Sequence, residues 1–229
     1  MHNPPVAQAR HSHRLLNLLA EIGELKSPDT LPCFGERLSR LFGLGDTMNL
    51  DAATAYRCRQ NGFPQSSVID RLTDELASTR TALIRRIQSL TDELNNGTEP
   101  GPEAILNAWL ALQRKVAASS RQLRDKVRNA MKDQGHAMAR LAQLDAVFDH
   151  TMAGYTSQCF AQIPRVLEQR FHSLQTPSDS SPDTGLAPDN RLHRYCEDAQ
   201  NLLLAELDVR LEPVLGLLEA CHNEVNHSS

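Results

Sequence analysis

The chain has 229 residues, enough for one ordinary domain or one long helical assembly. Lys and Arg total 24 and Asp and Glu total 28, so the formal net charge of -4 excludes a uniformly basic nucleic-acid binder. Apolar residues are 40% and aromatics only 4%, and long β-rich runs are absent, a composition suited to helices packed through Leu and Ala.

The first helix is predicted from Ala7 to Leu25. Leu15, Leu18, Leu19, Ile22 and Leu25 recur at three- and four-residue spacing and make one apolar face. Ser27-Pro28-Asp29 ends it, because proline has no N–H to give and disfavours helix at the preceding residue. A shorter helix is expected after Pro32, with Phe34, Leu38, Leu41 and Phe42 on its face and Gly43 and Gly45 at its end. A compact element follows around Asp46–Arg59, with Asp46 or Asp51 as its candidate cap. Asn61-Gly62-Phe63-Pro64 is a break.

Ser67–Asn95 reads as one long helix. Ile69, Leu72, Leu76, Thr79, Leu83, Ile87, Leu90 and Leu94 step by 3, 4, 3, 4, 4, 3 and 4. The successive fours around Leu83 interrupt a strict heptad, as a stutter does. At 1.5 Å per residue this helix would reach ~43 Å and needs a long partner to cover its seam. Asn95–Gly101 forms a turn, and Pro102 suits the first turn of the next helix, where its missing N–H costs nothing.

That helix carries Ile105, Trp109, Leu112, Val116, Leu123, Val127 and Met131. Ser119 and Ser120 fall where a core residue is due and weaken the seam locally. Gln134-Gly135 is a turn or kink. The pattern resumes through Met138, Leu141, Leu144, Phe148, Met152, Tyr155, Phe160, Ile163, Leu167 and Phe171, with a bend expected at Pro164. Thr176–Asp189 is rich in Pro, Ser and Asp and reads as a flexible linker. The last helix starts near Asn190, carries Leu192, Cys196, Ala199, Leu203, Leu207, Leu211, Val214 and Leu218 along one side, and is expected to kink at Pro213.

The expected fold is all-α: an elongated antiparallel helical bundle with long, partly kinked, coiled-coil-like helices and a small N-terminal helical cap. Its expected parts are the cap at 1–62, the long-helix bundle at 63–175, the linker at 176–189 and a C-terminal helix at 190–229 packing back on the bundle. The N-terminal stretch has no apolar segment of the secretory type, and no run of about 18 apolar residues occurs, so membrane insertion is not expected. Cys33, Cys58, Cys159, Cys196 and Cys221 are widely spaced, odd in number and lack a C-x-x-C pair, so reduced thiols in the cytoplasm are expected.

Charge is unevenly placed. Arg114 to Arg140 holds eight Lys or Arg against Asp125 and Asp133, whereas Arg191 onward holds three Arg against seven acids. A basic stripe could bind phosphate backbones, with Arg121, Arg124 and Arg128 as candidate contacts. The stripe lacks aromatic interleaving and any groove-reading motif, so a solvated face paired with the acidic last helix is the preferred reading. Glu219 and His222 form one E-x-x-H step, and Asp145, Asp149 and His150 are spaced for one helix face. A metal-dependent bundle needs two such steps and further carboxylates, so no metal or cofactor is expected. His2, His11 and His13 cluster at the start, where a solvated helix end is the preferred reading over metal binding. No P-loop, G-x-G-x-x-G, G-x-S-x-G or H-E-x-x-H is present, and no catalytic residues are assigned. Trp109 lies on the apolar stripe and reads as core.

Phe34–Arg57 (FGERLSRLFGLGDTMNLDAATAYR), Leu141–Leu174 (LAQLDAVFDHTMAGYTSQCFAQIPRVLEQRFHSL) and Leu202–Ala220 (LLLAELDVRLEPVLGLLEA) together resemble the proteobacterial domain-of-unknown-function family 3348. The run from Ala205 to Leu217 is the most specific of these stretches. The resemblance covers nearly the whole chain and brings no catalytic residues. It implies a cytosolic accessory of a bacterial envelope complex.

The functional expectation is a non-enzymatic helical adaptor or structural protein working through protein–protein contacts, self-association included. Ile69, Leu76, Leu83 and Leu90 on the long seam and Leu203, Leu207, Leu211 and Leu218 on the final helix are its candidate contacts. The competing explanation is that every seam is satisfied within the chain. The alternative function is nucleic-acid association through the basic face at 114–140.

Overall fold

The computed structural model describes residues 8–22, 42–56, 65–90, 102–175 and 188–228. Seven helices run through them: α1 (Gln8–Ile22), α2 (Leu44–Thr54), α3 (Ser66–Gln88), α4 (Pro102–Met131), α5 (His136–Phe160), α6 (Ile163–Gln175) and α7 (Pro188–Ser228). No strand occurs among the described residues, so the fold is all-α as expected. The expected helix after Pro32, the break at 61–64, the turn at 95–101 and the linker up to residue 187 lie outside the described residues. Pro188 and Asp189, assigned to that linker from the sequence, open α7.

Two packed units make up the chain. One comprises Met1–Ser27, Arg80–Ala118 and Phe160–Arg210, and the other Pro28–Thr79, Ser119–Cys159 and Leu211–Ser229. Helices α3, α4 and α7 each contribute residues to both.

In the first unit the core is Leu83, Ile87, Ile105, Trp109, Val116, Ile163, Leu167, Leu202, Leu203 and Leu207, all buried. Burying each such side chain contributes roughly 1.5–3 kcal/mol relative to leaving it in water. The lone tryptophan is core, as its place on the stripe predicts, and its Nε1–H donates to the Ala199 carbonyl at 2.8 Å. Helix α1 packs against α6 and buries Leu15 and Ile22, two turns apart on one face. Its Arg14 lies 3.9 Å from Asp208, which also accepts from Arg80 at 2.9 Å.

The second unit is built on Ile69, Leu72 and Leu76 of α3, Leu123, Val127 and Met131 of α4, Met138, Ala139 and Ala142 of α5, and Leu211, Val214 and Leu218 of α7. Ser120, at the expected weak point of the α4 stripe, is buried, so a small polar side chain fills that layer.

The prolines act as their missing N–H dictates. Pro164 stands at the second residue of α6, and the bend expected there is a full break between Phe160 and Ile163. Proline 164 cannot donate to the Phe160 carbonyl four residues back, and Gln113 Nε2 approaches that oxygen at 3.4 Å instead. Pro213 interrupts the hydrogen-bond ladder of α7 without ending the helix.

Candidate functional site

The turn between α4 and α5 places the charged groups of the second unit. Gln134 N–H donates to the Met131 carbonyl at 3.1 Å, and Gly135 takes φ 104°, a left-handed backbone that side-chain-bearing residues avoid. The Gln134 side chain is buried, and its Oε1 accepts from the Gln65 backbone N–H just before α3. One residue thus closes the turn and caps a second helix.

Beyond the turn, α4 and α5 run antiparallel. Arg124 and Arg128 are one helical turn apart on α4, and Asp145 and Asp149 are one turn apart on α5. Arg124 lies ten residues before Gln134 and Asp145 ten residues after Gly135, so these two come level across the turn. Arg124 Nε donates to Asp145 Oδ2 at 2.9 Å and its Nη2 to Oδ1 at 2.6 Å, a two-pronged fork, while its Nη1 reaches Asp149 at 2.5 Å. Arg128 Nη2 donates to Asp149 Oδ2 at 2.6 Å and lies 3.5 Å from Asp125. Its Nε is 3.2 Å from Asp145 Oδ2, close enough for charge attraction but without hydrogen-bond alignment. Arg124, Arg128 and Asp145 are largely buried, and Asp149 is partly open to solvent.

This cluster shows where part of the basic stripe lies and corrects its expected partner. Arg124 and Arg128, candidates for phosphate contact, are occupied by carboxylates, and only Arg121 of the three is exposed. Their partners are on α5 rather than the acidic last helix. Lys126 pairs with Glu75 of α3 at 2.5 Å. Two acids of α7 are engaged elsewhere, Asp198 with Arg170 at 3.0 Å and Asp208 with Arg80. Asp145 and Asp149 serve arginines, and His222 Nε2 lies 3.2 Å from Thr73 Oγ1. Among the described residues no group of three or more His, Cys, Asp or Glu is placed to hold a metal.

The same cluster sets how α5 is rotated. Met138, Ala142, Asp145 and Asp149 share the stripe that meets α4. Phe148 and Tyr155 lie on a different stripe and are 41% and 45% exposed, against the expectation that both join the core. Helix α2 lies beside them. Phe42 meets Phe148 at a 42° tilt with ring centroids 5.7 Å apart, and Thr151 Oγ1 donates to Asp46 Oδ1 at 3.2 Å. Asp46 Oδ2 accepts from the Gly43 N–H at 2.9 Å, so this residue caps α2 by reaching back from inside the helix. Leu44 and Met48, one turn apart on α2, remain 81% and 65% exposed. From Ala153 to Cys159 every residue of α5 is exposed, and none is charged.

The first unit holds a separate buried polar group. Glu206 of α7 is fully buried, with Oε1 accepting from Arg210 at 2.7 Å and Oε2 from Gln113 at 2.9 Å. The Arg210 guanidinium sits 3.7 Å above the Phe160 ring. Burial pushes the Glu206 carboxyl above its usual range, against the opposing pull of Arg210 and Gln113. Periodicity gave no signal for this hub, because Glu206 sits one residue before Leu207 in an otherwise apolar run.

The eight proposed partner contacts are all buried. Ile69, Leu76, Leu83, Leu90, Leu203, Leu207, Leu211 and Leu218 fill the cores, so none presents an apolar surface in this conformation. Among the described residues, the exposed large apolar side chains include Leu44 and Met48 on α2 and Phe148 and Tyr155 on α5, with Leu16 on α1 and Leu215 on α7 also exposed. No helix among the described residues is long and apolar enough to cross a membrane. No curated protein and no solved structure matches the chain. The family described as "Protein of unknown function (DUF3348)" matches residues 1–223, nearly the whole length, and the chain belongs to that family.

Proposed function

We propose that this protein is a non-enzymatic helical adaptor or structural protein of the bacterial cytoplasm, acting through protein–protein contacts as an accessory of an envelope complex. The supporting observation is the exposure of large apolar side chains on two helices of one unit, Leu44 and Met48 on α2 and Phe148 and Tyr155 on α5, beside the uncharged exposed stretch from Ala153 to Cys159. Interface centres are depleted in charge and enriched in aromatic residues and Met. Leu44 and Met48 on one helix face give the spacing by which helices engage partners. The basic face supports nucleic-acid binding less well, because Arg124 and Arg128 already hold Asp145 and Asp149.

A pull-down of the intact chain from its native lysate, with membranes solubilised and with or without nuclease, tests this reading. A stoichiometric protein retained after nuclease treatment is the expected outcome. Retention abolished by nuclease would replace it with nucleic-acid association, and an empty bait in both arms would remove stable adaptor binding.

A further inference from the structure

We draw no further inference here: the strongest candidate, the exposed apolar side chains Leu44 and Met48 on α2 and Phe148 and Tyr155 on α5, carries nothing beyond the proposed function because nothing in the structure shows what covers them.

Discussion

Arg124 and Asp145 meet through two parallel hydrogen bonds of 2.9 and 2.6 Å across the α4–α5 hairpin. A planar guanidinium and a planar carboxylate fit this way in one orientation only, so the contact fixes register as well as adding attraction. Slipping α5 by one residue would turn Asp145 about 100° away from Arg124 and bring a neighbour of different chemistry into its place. An apolar seam of Leu and Ala tolerates such slips more readily. The register of this hairpin is therefore specified by charge, with the Gly135 turn setting its length.

Removing one partner of this cluster should cost more than a surface ion pair. Exposed pairs contribute only about 0.2–1 kcal/mol, whereas stranding a largely buried charge costs several. Asp145→Asn is expected to lower the unfolding free energy by about 2–3 kcal/mol. Arg124→Lys should also destabilise, because an ammonium cannot reproduce the fork. Denaturant melts followed by circular dichroism, with the Arg124/Asp145 double-mutant cycle, measure the coupling. A coupling energy near zero would show that the cluster is no stronger than a solvated pair.

Glu206 gives a pH dependence of definite sign. Its carboxyl titrates above the ordinary 4.5 in the folded chain because burial disfavours the ion. A raised folded-state value means that the folded chain binds the proton more tightly than the unfolded one. The resulting stabilisation is complete below 4.5 and is lost as pH rises through the folded value. Glu206→Gln removes this proton. The stability of the wild type minus that of the variant should therefore fall as pH rises above 4.5, whatever the constant offset from losing the Arg210 contact. Thermal melts of both proteins at stepped pH read the difference, and a difference that grows with pH would overturn the assignment.

The cysteines among the described residues separate by exposure. Cys159 is exposed on α5, while Cys196 and Cys221 are buried. Burial pushes both buried thiols up, Cys221 to about 11, so their thiolate is scarce at neutral pH. Alkylation of the native chain at neutral pH, resolved by peptide mass, should modify Cys159 before the two buried thiols. Cys196 and Cys221 should follow only on denaturation, and early modification of Cys221 would mean that the end of α7 opens readily.

Much of the fold was legible because helices announce themselves through apolar spacing. The stripes of α3, α4 and α7 were read residue by residue, and Ile69, Leu83, Val116, Leu203 and Leu211 are buried where the period placed them. The same reading failed on α5, where Phe148 and Tyr155 were assigned to the core. Hydrophobicity was the wrong guide there, since two aspartates face α4 and owe that position to arginines 21 and 25 residues away in sequence. Such pairing was unreadable until the antiparallel register was known. Asp145 and Asp149 are spaced for one helix face, but spacing on one helix does not reveal what stands opposite. Likewise Glu206 gave no sign that it was the centre of a buried hub, because its partner Gln113 lies on another helix.

The exposed pair on α2 offers the sharpest test of the adaptor reading, since its role in binding and its role in folding come apart. Leu44 and Met48 are mostly in water, so replacing them removes little buried area. The doubly substituted Leu44→Glu, Met48→Glu chain should keep its helicity and stay within about 0.5 kcal/mol of the wild type, as surface changes usually do. Retention of a protein partner should nevertheless fall at least tenfold, because each glutamate would be desolvated at the contact. A control at Ala153, exposed on α5 but too small to anchor a contact, distinguishes loss of an anchor from general surface disturbance. Ala153→Ser should leave retention unchanged. Unaltered retention in the double variant would move the contact off α2. A large stability loss would show instead that Leu44 and Met48 are covered within the folded chain in solution.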